Sequence, residues 1–163
     1  MKKILLISDT HGFIDDKIIA YCKNSDEIWH AGDIGDYSLV ESLKEIKPLR
    51  AVYGNIDDQS IRNEFNIDYK FSVEKIKVWM THIGGYPGKY KKRILEGLEE
   101  YKPDLFICGH SHILKIIHDK KHNFLHINPG AIGKHGFHQK RTMVRFNIDK
   151  GNLNNLEVIE FDR

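Results

Sequence analysis

Seven side chains able to hold metal ions punctuate this sequence, each just past an apolar run: Asp9, His11, Asp33, Asn55, His82, His110 and His112. Asp9 and His11 are one residue apart, so both can turn toward one point above a strand end. Asp33 follows Gly32, and a carboxylate has two oxygens with which to bridge two cations. Asn55, after Gly54, offers a neutral amide oxygen, and the three later histidines offer imidazole nitrogens. Mixed nitrogen and oxygen donors without thiolate suit manganese, iron, nickel, cobalt or zinc better than calcium or an all-oxygen magnesium site. The chemistry such a set serves is hydrolysis of a phosphoester between two divalent ions.

Rigid elements must deliver these groups. Residues 3–8 form a continuous apolar run, as expected of a strand covered on both faces. Ile14, Ile18, Ile19 and Cys22 recur at helical spacing over 14–23, and residues 27–31 read as a second strand ending in Gly32-Asp33. Leu39, Val40, Leu43 and Ile46 predict a second helix that Pro48 ends, before a third strand over 49–53. Residues 70–73 and 76–81 read as two strands joined at Glu74-Lys75, the second releasing His82 into a glycine-rich loop. A helix over 90–101 and a strand over 104–108 then present Gly109-His110-Ser111-His112. Residues 113–117, 124–127, 142–147 and 156–161 read as antiparallel strands, with Asp149-Lys150-Gly151 a turn. The order, βαβαβ and then mostly β, predicts one α/β domain over residues 1–163, with two sheets inside flanking helices.

Taken singly, each group has a plainer explanation. Asp9 and Asp33 could cap helices, Gly54-Asn55 could be a turn, and His82 an ordinary loop histidine. The joint pattern decides, because all five strand ends carry a ligand-type residue and none falls within a helix.

Composition narrows the function classes. The 163 residues are 40% hydrophobic and 29% charged, enough for one domain with a real core. The net charge of +2 comes from 25 basic and 23 acidic residues spread along the chain, so there is no patch for nucleic acid or an anionic membrane. The apolar run after Met1-Lys2-Lys3 stops after four residues, too short for a signal peptide, and nothing approaches transmembrane length. Cys22 and Cys108 sit in apolar segments, as reduced thiols in a cytoplasmic protein would. Exposed sheet edges allow a homo-oligomer.

The ordered set Asp9-x-His11, Gly32-Asp33-x-x-Asp36, Gly54-Asn55-x-Asp57, His82 and Gly109-His110-x-His112 resembles the calcineurin-like metallophosphoesterases. The short chain, with Asn128-Pro129-Gly130 after the histidine pair, looks most like the small microbial phosphodiesterase branch, to which the metallophosphoesterase-like subunit of retromer is related. The resemblance implies a four-layer fold of two mixed sheets packed face to face between helices. It implies that Asp9, His11, Asp33 and His112 hold one divalent ion and Asp33, Asn55, His82 and His110 the other, with manganese the leading choice and nickel, iron, zinc, cobalt or magnesium as alternatives. A hydroxide shared by the two ions would then attack a small phosphodiester in line, with Asp33, Asn55 and His82 at the reaction centre.

Two departures narrow the substrate. Many relatives have histidine where this chain has Ile56, and isoleucine cannot donate a proton to a leaving group. Diesters, or esters with good leaving groups, are therefore favoured over alkyl monoesters. Asp36 is followed by Tyr37-Ser38 and not by the Arg-Gly of protein phosphatases, which disfavours a phosphoprotein. Asp36 and Asp57 are expected to orient loops. Ser111 reads as a spacer, His30 as a buried strand residue, and His118, His122 and His126 as solvent-facing. His135, His138 and Tyr86 are candidate substrate contacts, Tyr86 by stacking, while Tyr90 is expected on its helix. The alternative to an enzyme is an interaction scaffold that keeps the fold without turnover.

Overall fold

The computed structural model describes residues 1–163. Ten strands and four helices follow in the order β1 (Lys2–Ile7), α1 (Asp16–Lys23), β2 (Glu27–His30), α2 (Tyr37–Ile46), β3 (Leu49–Ala51), α3 (Gln59–Glu64), β4 (Asp68–Val73), β5 (Ile76–Thr81), α4 (Lys92–Tyr101), β6 (Leu105–Ile107), β7 (Leu114–Asp119), β8 (Phe124–Pro129), β9 (Lys140–Asp149) and β10 (Asn152–Asp162). They build two five-stranded mixed sheets, ordered β10-β9-β1-β2-β3 and β4-β5-β6-β8-β7.

Alternation along β1 shows how the layers stack. Ile4 and Leu6 point between the sheets, where they meet Val78, Met80, Leu105 and Ile107 of the second sheet. Leu5 and Ile7 point the other way, against Ile18 and Cys22 of α1 and Leu39, Val40 and Leu43 of α2. On the far side of the second sheet, Trp79, Phe106 and Phe124 pack on Ile94 and Leu98 of α4. The result is four layers, helix, sheet, sheet, helix. Trp29 on β2 is fully buried between the sheets, with its ring edge-on to Phe71 at 5.0 Å and Phe146 at 5.7 Å. Burial of a ring that size stabilises by about 3 kcal/mol and holds the two sheets in register. No helix is long and apolar enough to cross a membrane.

Three elements depart from expectation. Helix α3 had no sequence signal, because six residues span too few turns to show a period; Asp58 caps it and Ile61 is its one buried residue. The later strands are not all antiparallel: β8 runs parallel to β6, because β7 pairs back on it from the sheet's outer edge. A strand's own pattern does not name its neighbour. Helix α4 begins at Lys92, leaving Tyr90 before it, buried against Phe106 and Phe124.

Three parallel strands are also tied by one carboxylate. Glu27 on β2 is 3% exposed and accepts from Lys2 Nζ of β1 at 2.9 Å, Arg50 Nε of β3 at 2.9 Å and Trp29 Nε1 at 3.0 Å. Burial alone would raise its pKa, but these donors outweigh burial and hold it at about 2, against an ordinary 4.5. A depressed carboxyl adds stability above its unfolded pKa and loses it as pH falls through the folded one. Between pH 5 and pH 2 the wild type should therefore lose about 2–3 kcal/mol that Glu27→Gln has already lost at neutral pH. Urea midpoints at both pH values check this; a variant as acid-sensitive as the wild type would contradict it.

Candidate metal centre

Every one of the seven candidate ligands sits just past the end of a strand, on one edge of the sandwich. The first sheet delivers Asp9 and His11 after β1, Asp33 after β2 and Asn55 after β3; the second delivers His82 after β5 and His110 and His112 after β6. Asp9, His11 and His112 place donor atoms within 4.8 Å of one another, and so do Asp33, His82 and His110. Asp33 stands between the groups. Its Oδ1 accepts from Ile56 N at 3.1 Å, while Oδ2 lies 3.6 Å from His11 Nε2 and 3.2 Å from His82 Nε2.

The loose ends of these groups define the chemistry. Asp9 Oδ2 accepts from the Ser8 hydroxyl at 2.6 Å and His110 N at 3.1 Å, which leaves Oδ1 facing His112 Nε2 at 3.1 Å and His82 Nε2 at 3.8 Å. His82 Nδ1 donates to the Ala31 carbonyl at 2.7 Å, so in the neutral ring Nε2 carries the lone pair. Asp9 Oδ1, His11 Nε2 and His82 Nε2 are all buried without a hydrogen-bond partner. Unsatisfied polar atoms of this kind are costly inside a protein, and here they converge on one place. Two carboxylates, no lysine or arginine among the donors, and converging lone pairs fit divalent cations.

Charge within the centre agrees. Burial pushes the Asp9 carboxyl up, but His112 and His82 outweigh it and the net is a lowered pKa; Asp33 is likewise lowered, with His82 outweighing burial. Burial opposes a proton on His82, yet the Asp33 and Asp9 carboxylates raise its pKa above the ordinary value. Burial lowers His11 and His110, against the pull of the same carboxylates. The pocket therefore calls for positive charge.

Holding the donors there strains the backbone. Asp9, His11, Asp33, His110 and His112 all have φ between 46° and 71°, the left-handed region, which costs an ordinary residue about 1 kcal/mol. The neighbouring loops must also approach closely. A Cβ on Gly54 would lie 2.0 Å from Asp33 Oδ1, and one on Gly109 would lie 2.2 Å from Ser8 Oγ and 2.8 Å from Asp9 Oδ2. Asp9 and Asp33 are not helix caps: Asp15 and Asp36 cap α1 and α2.

The loops are braced by groups that touch no metal candidate position. Asp57 is 3% exposed and accepts from Ile34 N, Gly35 N and Gly54 N, tying the Asp33 loop to the Asn55 loop. His30 accepts from Gly32 N on Nδ1, so its Nε2 donates to Thr10 Oγ1, whose own hydrogen goes to the Ile34 carbonyl. Burial lowers the His30 pKa to about 3, so the ring stays neutral in that chain. Asn128 Nδ2 donates to the Gly109 carbonyl and to Ser111 Oγ. Ser8 and Thr10 were not legible as site residues, because a hydroxyl flanking a ligand carries no distinctive spacing, and in sequence Asn128 reads only as part of Asn128-Pro129-Gly130, without a role.

The family description that matches this sequence, calcineurin-like phosphoesterase superfamily domain, covers residues 1–151. The chain belongs to that superfamily. A probable metallophosphoesterase of Methanocaldococcus jannaschii is 30% identical over 134 residues, 77% of this chain and 66% of that relative's length. Among solved structures, one described as a novel archaeal phosphodiesterase superposes with TM-score 0.72 at 22% identity, covering 96% of this chain and 99% of the other. Vps29 of Entamoeba histolytica complexed with zinc superposes with TM-score 0.75 at 15% identity, covering 98% of each chain. These two likenesses are of fold, and with the two sheets they confirm the four-layer arrangement.

Around these groups, His11, Asp33, Asn55, His110 and His112 open onto a cavity of about 560 Å³ that His135 and His138 also line. His135 stacks on His11 with centroids 4.6 Å apart, and His138 lies edge-on to His112 at 5.1 Å, its Nε2 donating to the Gly133 carbonyl. Tyr86 lies elsewhere, its ring 6.4 Å from His126. His126 itself corrects an expectation: it is fully buried on β8, with Nδ1 3.0 Å from the Tyr90 hydroxyl, and burial lowers its pKa to about 4. Its strand lies inside the second sheet, which a hairpin reading could not show.

Proposed function

We propose that this protein is a metal-dependent phosphodiesterase that hydrolyses small phosphodiesters by in-line attack of water at a two-metal centre. The observation that carries the reading is Asp33 Oδ2, set between the donor atoms of two separate ligand groups in which Asp9 Oδ1, His11 Nε2 and His82 Nε2 are buried without a hydrogen-bond partner. Divalent ions held there would activate the water and draw off charge building on the phosphoryl oxygens. Asp9, His11 and His112 would hold one ion, His82, His110 and Asn55 the other, with Asp33 shared. The Ala31 carbonyl and the Ser8 hydroxyl orient His82 and Asp9, so neither must reorganise as substrate arrives. His135, on the same cavity, is placed to meet substrate oxygens, while His138 Nε2 is held by the Gly133 carbonyl beside it.

Ile56 on the cavity wall gives no proton to a leaving group, which favours diesters with good leaving groups. Manganese is our choice of metal on donor type. Both cysteines are free and buried, in keeping with a reducing compartment, and we place the reaction in the cytoplasm on that ground.

Protein stripped with a chelator should hydrolyse bis(p-nitrophenyl) phosphate at least about 10³-fold more slowly than protein reloaded with Mn²⁺. Hydrolysis that is indifferent to chelation would refute the mechanism. Tight metal binding with no hydrolysis by any divalent ion would point to the scaffold instead.

A further inference from the structure

Eight large apolar side chains are exposed on this chain, and three of them, Ile56, Ile113 and Phe137, line the cavity onto which five of the seven metal candidates open. Their exposures are 46%, 59% and 102%, so Phe137 presents its whole ring to water. They come from three separate loops, after β3, before β7 and before β9, and none belongs to the cores or packs against them. Apolar groups gathered from distant parts of a sequence around one polar centre mark a surface made to be covered. The cavity wall also contains no lysine or arginine. Arg62 and Arg93 line a separate cavity of about 230 Å³ with Asn55 and His82, so a phosphoryl group bound on the Phe137 side would find cations only at the metal positions, and an arm extending along that side would run over apolar surface.

We propose that Ile56, Ile113 and Phe137 form the subsite for the second ester group of the diester, the one that is not expelled. This rests on the phosphodiesterase reading and deepens it. The favoured substrate is then a monoanionic diester whose retained arm is apolar and flat, able to lie on the Phe137 ring. A retained arm bearing further phosphates would be disfavoured, because its added charge would be desolvated against isoleucine and phenylalanine with no cation to receive it. His135 does not compete for this role, since its ring is already stacked on His11.

The test compares two substrates with one leaving group, bis(p-nitrophenyl) phosphate and methyl p-nitrophenyl phosphate, on Mn²⁺-loaded protein. The ratio of their kcat/KM values should exceed about tenfold in the wild type and fall at least about fivefold in Phe137→Ser and in Ile113→Ser. Both side chains are exposed, so thermal midpoints should stay within about 2 °C. Independently of turnover, diphenyl phosphate should shift the methyl resonances of Ile56 and Ile113, and dimethyl phosphate should not. If both esters are hydrolysed but the ratio is the same in wild type and variants, the subsite is overturned and the phosphodiesterase reading stands. If neither ester is hydrolysed while diphenyl phosphate still shifts both isoleucines, the subsite stands and the phosphodiesterase reading falls.

Discussion

Asp33→Asn should lower kcat/KM for bis(p-nitrophenyl) phosphate by about 10³-fold or more while leaving the protein folded. Asp33 Oδ2 is the oxygen nearest to both His11 of one group and His82 of the other, at 3.6 and 3.2 Å against 3.9 and 3.8 Å for Asp9 Oδ1. An amide keeps the shape but loses the negative charge, so two cations would sit near each other with less to hold them. Losing a group that merely orients a metal ligand typically costs 10–100-fold, and losing a shared ligand should cost more. Bound manganese, measured by elemental analysis after desalting, should fall from about two ions per chain to about one. The metal-free variant should be no less stable than metal-free wild type, since it no longer buries a carboxylate for which cations are the intended partners. A variant that retains full activity, or still binds both ions, would remove Asp33 from the centre.

Asp57→Ala should be the most destabilising change near the site, by about 3–5 kcal/mol, or roughly 10 °C in thermal midpoint. Its carboxylate accepts from Ile34 N at 3.2 Å, Gly35 N at 2.8 Å and Gly54 N at 2.8 Å, all beneath the metal centre. Alanine would leave three donors without an acceptor, and each buried unsatisfied group costs about 1–3 kcal/mol. The Asp33 and Asn55 loops would lose their tie as well, so activity should fall together with stability. Glycine at 54 leaves its amide close enough for this bond, and a side chain there would strike Asp33. A midpoint that moves by less than about 2 °C would show that the loops hold themselves.

The difference between these two aspartates shows what sequence can and cannot tell. Both follow glycine-containing turns after apolar runs, and in sequence Asp33 reads as a metal ligand and Asp57 as a group that orients loops. The fold gives the partners that the sequence could not: Asp33 Oδ2 faces imidazoles whereas both Asp57 oxygens face backbone N–H groups. The histidines divide in the same way. His110 and His112 were legible because they flank one residue after a short apolar strand, and His30 reads as a buried strand residue, but nothing in the sequence marks His126 as buried. Each of those two is fully buried within its strand and serves packing and bracing. The rim that Ile56, Ile113 and Phe137 form had no signal, since Ile113 reads as the start of a strand and Ile56 only as a missing proton donor.

By itself, the sequence determined the strand-ending positions of all seven candidate ligands, the α/β class and the absence of a proton donor at Ile56. Those features are local: apolar periodicity sets each element, and residue type sets what its end can coordinate. Tertiary structure alone decided which donors meet. Asp9, His11, Asp33 and Asn55 ride on one sheet and His82, His110 and His112 on the other, so the centre exists only because the core around Trp29 presses the two sheets together. The left-handed backbone at five of the seven donors is a tertiary fact too. No local preference of aspartate or histidine requires that conformation, and the packed loops and their buried hydrogen bonds impose it.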